Sequence, residues 1–259
     1  MLDIPFNFGG VEFNISIEGI LKTEFKNVTT FFIFTIDFLY FNVIILKLMA
    51  IYCHILENEG NFMSITFVIG GSRSGKSTFA ENKAKEYGEK VLYIATSVIT
   101  DQAMADRVKK HKEQRPEAWS TLEKYSEFNT LPYCKEFNEA DVVLIDCITV
   151  LIGNLMFDSG LDFDKCPVEE VNNLEQKISD EVISLIKLCR DFNKRLIIVS
   201  NETGLGVVPS YYMGNYFRDM SGRINNKIGK EADFMYFIFS GIPIKLKHNG
   251  EMVKWPQDF

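Results

Sequence analysis

From residue 63 onward the apolar residues come in short unbroken runs, and longer mixed stretches separate them. Ile65–Ile69, Val91–Ala95, Val142–Ile145, Leu196–Val199 and Phe234–Phe239 each have strand length and are near-continuous rather than alternating. That is the pattern of strands buried on both faces of a parallel sheet. Between them, Thr78–Tyr87, Asp101–Glu113, Val168–Phe192 and Tyr211–Lys230 read as helices. In the third of these, Val171, Leu174, Ile178, Val182, Leu185 and Leu188 recur at helical spacing, which marks one apolar face. Strands alternating with helices predict an α/β fold, a mostly parallel sheet flanked by helices. In such a sheet, ligand chemistry gathers at the carboxyl ends of the strands.

Residues 1–62 are patterned differently. Phe, Ile, Asn and Leu dominate, with seven acidic residues, three lysines and no arginine. The run from Val28 to Leu56 is strongly apolar, but Asp37, Asn42 and Lys47 interrupt it. A spanning helix needs about 20 mainly apolar residues, and an aspartate mid-span costs on the order of 3 kcal/mol. The acidic start and late apolar run also differ from a signal peptide. Met63 stands two residues ahead of the first strand. Residues 1–62 are therefore expected to be an extension, spurious or dispensable, ahead of a working domain at 63–259. A membrane-associated segment and a docked accessory element are the alternatives.

Composition adds exclusions. The 259 residues suffice for one large domain or two small ones. A formal net charge of −7 argues against a nucleic-acid-binding surface as the main activity. The five cysteines are scattered without a C-x-x-C pair, the usage of reduced cytosolic thiols rather than of a disulfide framework or zinc site.

The chemistry starts at the first strand of that domain. Gly70-Gly71-Ser72-Arg73-Ser74-Gly75-Lys76-Ser77 satisfies G-x-x-x-x-G-K-[ST] between a strand and a helix. Glycines let backbone N–H groups turn inward on phosphate oxygens, and the following helix adds its positive end. Lys76 is expected on the β/γ-phosphates and the Ser77 hydroxyl on Mg²⁺. Val142–Ile145 runs into Asp146; an acid ending a strand is the usual second partner of Mg²⁺ in such sites.

Other features leave alternatives open. Thr96 and Ser97 follow the second strand, expected next to the phosphate loop; they are either site groups or helix caps. Six of the nine residues from Arg107 to Arg115 are basic or histidine. They form either a solvated helix face or a second phosphate-facing patch, in which the surrounding cations keep His111 neutral and nucleophilic. Ser200-Asn201-Glu202 followed by Thr203 to Pro209 reads as a mobile site loop or a plain turn. Arg218, Asp219 and Arg223 read as substrate, interface or surface groups, and His248 as surface.

Taken together, Gly70–Ser77, Tyr93–Ser97, Arg107–Arg115 with Pro116 and Trp119, Asp146–Thr149, Ser200–Glu202 with Gly204–Pro209, Phe217–Asp219 with Gly222 and Arg223, and Ser240–Pro243 occur in one order and spacing. In that combination the chain resembles the bifunctional adenosylcobinamide kinase / adenosylcobinamide-phosphate guanylyltransferase (CobU/CobP) family, over Met63 to Lys247. The resemblance implies a RecA-like P-loop NTPase fold and two reactions. ATP or GTP phosphorylates adenosylcobinamide; GTP then guanylylates a histidine, and GMP passes to cobinamide phosphate to give adenosyl-GDP-cobinamide. The family's nucleophilic histidine matches His111. Nucleotide contacts carried over in the same way fall on Gly70 to Ser77, Ala95, Thr96, Ser97, Lys112, Glu113, Gln114, Arg115, Glu123 and Asp146. The resemblance further implies Mg²⁺ dependence, a cytoplasmic location and a homo-oligomer, often a trimer. Competing expectations are a monofunctional P-loop kinase of another small molecule and a nucleotide-dependent switch or binding protein.

Overall fold

A computed structural model describes residues 3–8, 11–16, 63–97 and 115–254. The run Val28–Leu56, the expected helix Asp101–Glu113 and the basic stretch through Gln114, with His111, lie outside the described residues. The chain divides into two compact units, 1–61 and 62–259.

In the first unit, β1 (Asp3–Phe8) and β2 (Val11–Ser16) pair antiparallel from Asp3↔Ser16 to Phe8↔Val11. Val11, Phe13 and Ile15 alternate with Glu12, Asn14 and Ser16, the period of a strand with one apolar face.

The second unit is built on one sheet. In chain order its elements are β3 (Ile65–Gly70), α1 (Lys76–Tyr87), β4 (Val91–Ala95), β5 (Ser120–Glu123), α2 (Lys135–Glu139), β6 (Val142–Asp146), α3 (Ile148–Asp158), α4 (Val168–Asp191), β7 (Arg195–Asn201), α5 (Tyr212–Glu231), β8 (Phe234–Phe239), β9 (Ile242–His248) and β10 (Glu251–Met252). The eight strands lie in the order β10-β9-β8-β3-β7-β6-β4-β5. β8, β3, β7, β6, β4 and β5 run parallel, while β9 and β10 are antiparallel additions at one edge. The expected α/β architecture is the observed one, with a mixed margin.

Each sheet face has its own core. On one, Ile65, Phe67, Ile69, Val143, Ile145, Leu196 and Ile198 meet residues of α3, α4 and α5. On the other, Val68, Tyr93, Leu144, Ile197 and Val199 meet Ala80 and Ala84 of α1. The buried residues of α1 are Lys76, Ala80 and Ala84, one stripe at i, i+4 and i+8. The lysine of the phosphate loop thus continues the helix's buried edge, and the small alanines let α1 lie close against the sheet.

Three readings of the pattern change. β8 is not buried on both faces: Phe234, Tyr236 and Ile238 are buried, but Met235 and Phe237 are half-buried and Phe239 is exposed. Its neighbour β9 is largely exposed, so this side of the sheet is only partly covered. β4 does not stand beside the phosphate-loop strand; β6 and β7 intervene. Helix α3 had no periodic signature, because Ile148–Phe157 is apolar almost all round; in the fold one face, Ile148, Thr149, Leu151, Ile152 and Met156, is buried and Phe157 is exposed.

Candidate active site

A cavity of about 580 Å³ opens at the carboxyl ends of the parallel strands, within the usual range for small-molecule sites. The phosphate loop from Ser72 to Thr78 forms one wall. Two glycines are required by its geometry. A Cβ on Gly70 would collide with the backbone carbonyl oxygen of Ile238. Gly75 caps α1 in a left-handed conformation, φ +98°, which L side chains rarely adopt. Backbone bonds hold the loop: Ser74 N–H donates to Gly71 O (3.3 Å), Phe79 N–H to Gly75 O (3.0 Å) and Gly241 N–H to Ser74 O (2.8 Å). The last ties it to the β8–β9 turn. The Ser74 hydroxyl is buried and makes no hydrogen bond among the described residues, so a polar group is held ready inside the cradle.

Lys76 is buried, and its Nζ donates to Gly71 O at 2.6 Å. Burial pulls its ammonium pKa down, against the opposing pull of Cys147 and then Asp146. An incoming polyphosphate would supply the anionic partner that burial makes valuable. Ser77 and Asp146 line the same cavity.

The opposite wall is organised by a tyrosine that the sequence reading did not single out. Tyr93, buried in β4, donates its hydroxyl to Asp146 Oδ2 at 2.9 Å. The guanidinium of Arg115 lies 3.3 Å from the centroid of the same ring, a cation–π stack. Arg115 also reaches Glu81 Oε1 (3.5 Å) and Thr121 Oγ1 (3.4 Å). Burial, then the Asp146 charge, push the phenol pKa up, with Arg115 opposing. Tyr93 therefore stays a donor and fixes the Asp146 carboxylate. A hydroxyl within an otherwise apolar strand, needing a partner where it ends, was the available signal.

Other expected residues take varied places. Ala95 and Ser97 line the cavity. Thr96 is fully buried; its hydroxyl donates to Cys147 O and accepts from Cys147 N–H, both at 2.8 Å. Its side chain thus braces the segment after Asp146, whose Asp146–Cys147 peptide is cis; the helix it was alternatively read as capping lies outside the described residues. Glu123 is exposed at the end of β5, paired across from Ala95. Asn201 lines the cavity, whereas Glu202 accepts from Gly204 N–H at 2.6 Å and so shapes the following loop. Arg218 donates to Gly204 O at 3.2 Å, restraining that loop. Arg223 makes a bidentate pair with Glu175, 2.7 Å to each oxygen. His248 is exposed, its ring against Phe234.

As for a metal, no group of three or more His, Cys, Asp or Glu side chains is placed to hold one among the described residues. A hydroxyl and a carboxylate facing one cavity instead suit Mg²⁺, a hard ion that takes one or two protein oxygens and completes its shell with phosphates and water.

The family profile described as cobinamide kinase / cobinamide phosphate guanyltransferase matches residues 66–246. The chain is 40% identical over 181 residues to the bifunctional adenosylcobalamin biosynthesis protein CobU of Escherichia coli (strain K12), spanning 70% of this chain and 98% of that protein. It is 38% identical, at the same coverage, to CobU of Salmonella typhimurium. To CobP of Pseudomonas aeruginosa it is 32% identical, covering 70% of this chain and 95% of that protein. Among solved structures, the flagellar accessory protein FlaH of Methanocaldococcus jannaschii is similar at a TM-score of 0.37 and 18% identity over 73% of this chain and 80% of that one; so distant a likeness adds nothing to the assignment. With a phosphate loop, an acid at the end of an interior strand and a profile match spanning most of the second unit, the chain belongs to the CobU family of cobinamide kinases / cobinamide phosphate guanyltransferases.

Proposed function

We propose that this chain performs both transfers of its family. It phosphorylates the aminopropanol hydroxyl of adenosylcobinamide from ATP or GTP, and moves GMP from GTP to the resulting cobinamide phosphate. The observation that carries this reading is a cavity in which the phosphate loop, Asp146 and Arg115 converge, in a chain belonging to that family.

In the phosphoryl step the residues mainly position groups and stabilise charge. Inward backbone N–H groups from Gly70 to Ser77 and the Ser74 hydroxyl bind phosphate oxygens. Lys76 exchanges the Gly71 carbonyl for the β/γ-phosphates. Ser77 and Asp146 would hold Mg²⁺, with Tyr93 fixing the carboxylate; when bound, the ion neutralises phosphate charge. Arg115 supplies a fixed cation on the far wall. Ala95, Ser97, Lys112, Glu113, Gln114 and Glu123 complete the nucleotide contacts; Thr96, expected among them, is fully buried and acts instead through the Cys147 backbone.

In the second step His111 is the nucleophile. Imidazole attacks the α-phosphorus of GTP, pyrophosphate leaves, and the phosphoramidate passes GMP to the acceptor; a good nucleophile that is also a good leaving group suits a two-stage transfer. Arg115 stands four residues after His111 in the sequence and faces the cavity, which supports bringing that chemistry to the same place. The working protein is a cytoplasmic homotrimer, and residues 1–62 are dispensable to it. No helix among the described residues is long and apolar enough to cross a membrane.

Mass spectrometry of products tests this. With adenosylcobinamide, ATP and Mg²⁺, the chain yields cobinamide phosphate; adding GTP converts it to GDP-cobinamide. Absence of the phosphate product overturns the kinase assignment, and phosphate without the GDP product overturns the guanylyltransferase.

A further inference from the structure

Asn201 ends β7, the strand between the phosphate-loop strand and the Asp146 strand. In register it lies opposite Gly70, and Val199 of the same strand lies opposite Asp146. Its half-buried side chain lines the cavity. It therefore sits between the group that binds the transferred phosphate and the acid on the far side.

The amide is held from behind. Nδ2 donates to Thr149 Oγ1 at 2.7 Å; Thr149, buried in α3, is within 3.2 Å of Cys147 Sγ. The main-chain carbonyl of Asn201 accepts from Asn225 Nδ2 of α5 at 3.0 Å. Thr149 takes one of the two Nδ2 N–H donors and so fixes the plane of the Asn201 amide, whose Oδ1 is its acceptor. Phosphate oxygens are acceptors too, so Oδ1 cannot hydrogen-bond them. A hydroxyl about to attack phosphorus is a donor.

We propose that Asn201 orients the acceptor hydroxyl of the substrate for in-line attack on the γ-phosphorus, with Thr149 as the positioning residue that sets the amide. This rests on the kinase reading above. The hydroxyl oxygen–phosphorus bond forms as the bond to the bridging oxygen of the nucleoside diphosphate breaks. The hydroxyl proton passes to an oxygen of the transferred phosphoryl group, since a neutral amide accepts the hydrogen bond but not the proton. The gain is one of orientation, where small misplacements cost on the order of 100-fold in rate.

The test uses the full chain, ATP, Mg²⁺ and adenosylcobinamide. Wild type must first form the phosphate product; an inactive wild type removes the kinase reading and this inference with it. Given activity, Asn201→Ala lowers kcat about 100-fold, with the KM for ATP within about 3-fold. Asn201→Asp, which keeps an acceptor, retains a higher kcat than Asn201→Ala. Thr149→Val lowers kcat about 10-fold, and Thr149→Ser restores it; this pair carries the test should an Asn201 variant fold poorly. Three results overturn the inference: a wild-type kcat in Asn201→Ala, loss expressed in the KM for ATP, or loss relieved by raising Mg²⁺, which would place Asn201 on phosphate or on metal-bound water.

Discussion

The loops that leave β3 and β7 start side by side, at paired residues Gly70 and Asn201, yet they are built on opposite principles. The first is short and anchored by backbone bonds, with a buried lysine. It folds around backbone groups, so its composition is set by what must not be there: a Cβ at Gly70 or a strained side chain at Gly75. The second exposes Leu205 (82%), Val207 (95%) and Val208 (57%). It is held at its base by Glu202 and by Arg218. One loop is prepared for a ligand of fixed shape, the polyphosphate. The other offers side chains rather than backbone.

That contrast predicts unequal sensitivity to substitution. Lys76→Ala should have the largest effect, lowering kinase kcat by roughly 10³-fold, as loss of a charge-stabilising donor does. The melting temperature should hold, because a buried, desolvated ammonium leaves with it. Next, Gly70→Ala forces the strand end away from Ile238 and should cost about 1–3 kcal/mol of stability, read by denaturant titration. Gly206→Ala, in the second loop, has its nearest neighbour at Thr203 O, 3.9 Å away, and should be near neutral. Equal costs at the two glycines would erase the distinction. Tyr93→Phe keeps the ring under Arg115 but removes the donor to Asp146; about 1.5–3 kcal/mol is at stake in a hydrogen bond to a charged group, measured as lost kcat/KM with the melting temperature little changed. Val207→Ser should be smallest, within about 0.5 kcal/mol in stability, with ATP affinity unmoved in equilibrium binding.

Much of the fold was legible in the chain. The runs at Ile65, Val91, Val142, Leu196 and Phe234 became strands with bounds within a residue or two; the first four are unbroken because parallel strands buried on both faces leave such runs, whereas β8 is buried on alternate residues only. Helix α4 was legible through its period, with Val171, Ile178, Val182 and Leu185 buried. What escaped has physical reasons. β5 is four residues, partly exposed, with no alternation, so nothing local distinguishes Ser120–Glu123 from a loop; pairing with β4 creates it. α3 hid because its uncovered side is also mostly apolar, Phe157 included, so no polar stripe marks the period. In the site, Gly70–Ser77 and Asp146 were legible because backbone geometry and charge leave a spacing. Tyr93 and Thr149 were not, since each acts through a partner distant in sequence: Tyr93 through Asp146, and Thr149 through Asn201. Thr96 was read for its hydroxyl, but burial turned that hydroxyl to the backbone of Cys147.

The central claim is that one nucleotide cavity serves two transfers, the second through a histidine. Incubation of the full chain with α-labelled GTP and Mg²⁺, followed by an acid-stability assay of protein-bound label, tests it most directly. Wild type should carry acid-labile label, and His111→Ala should carry none while still phosphorylating adenosylcobinamide from ATP. A wild type that takes up no label, or a His111→Ala variant labelled like wild type, would contradict the account.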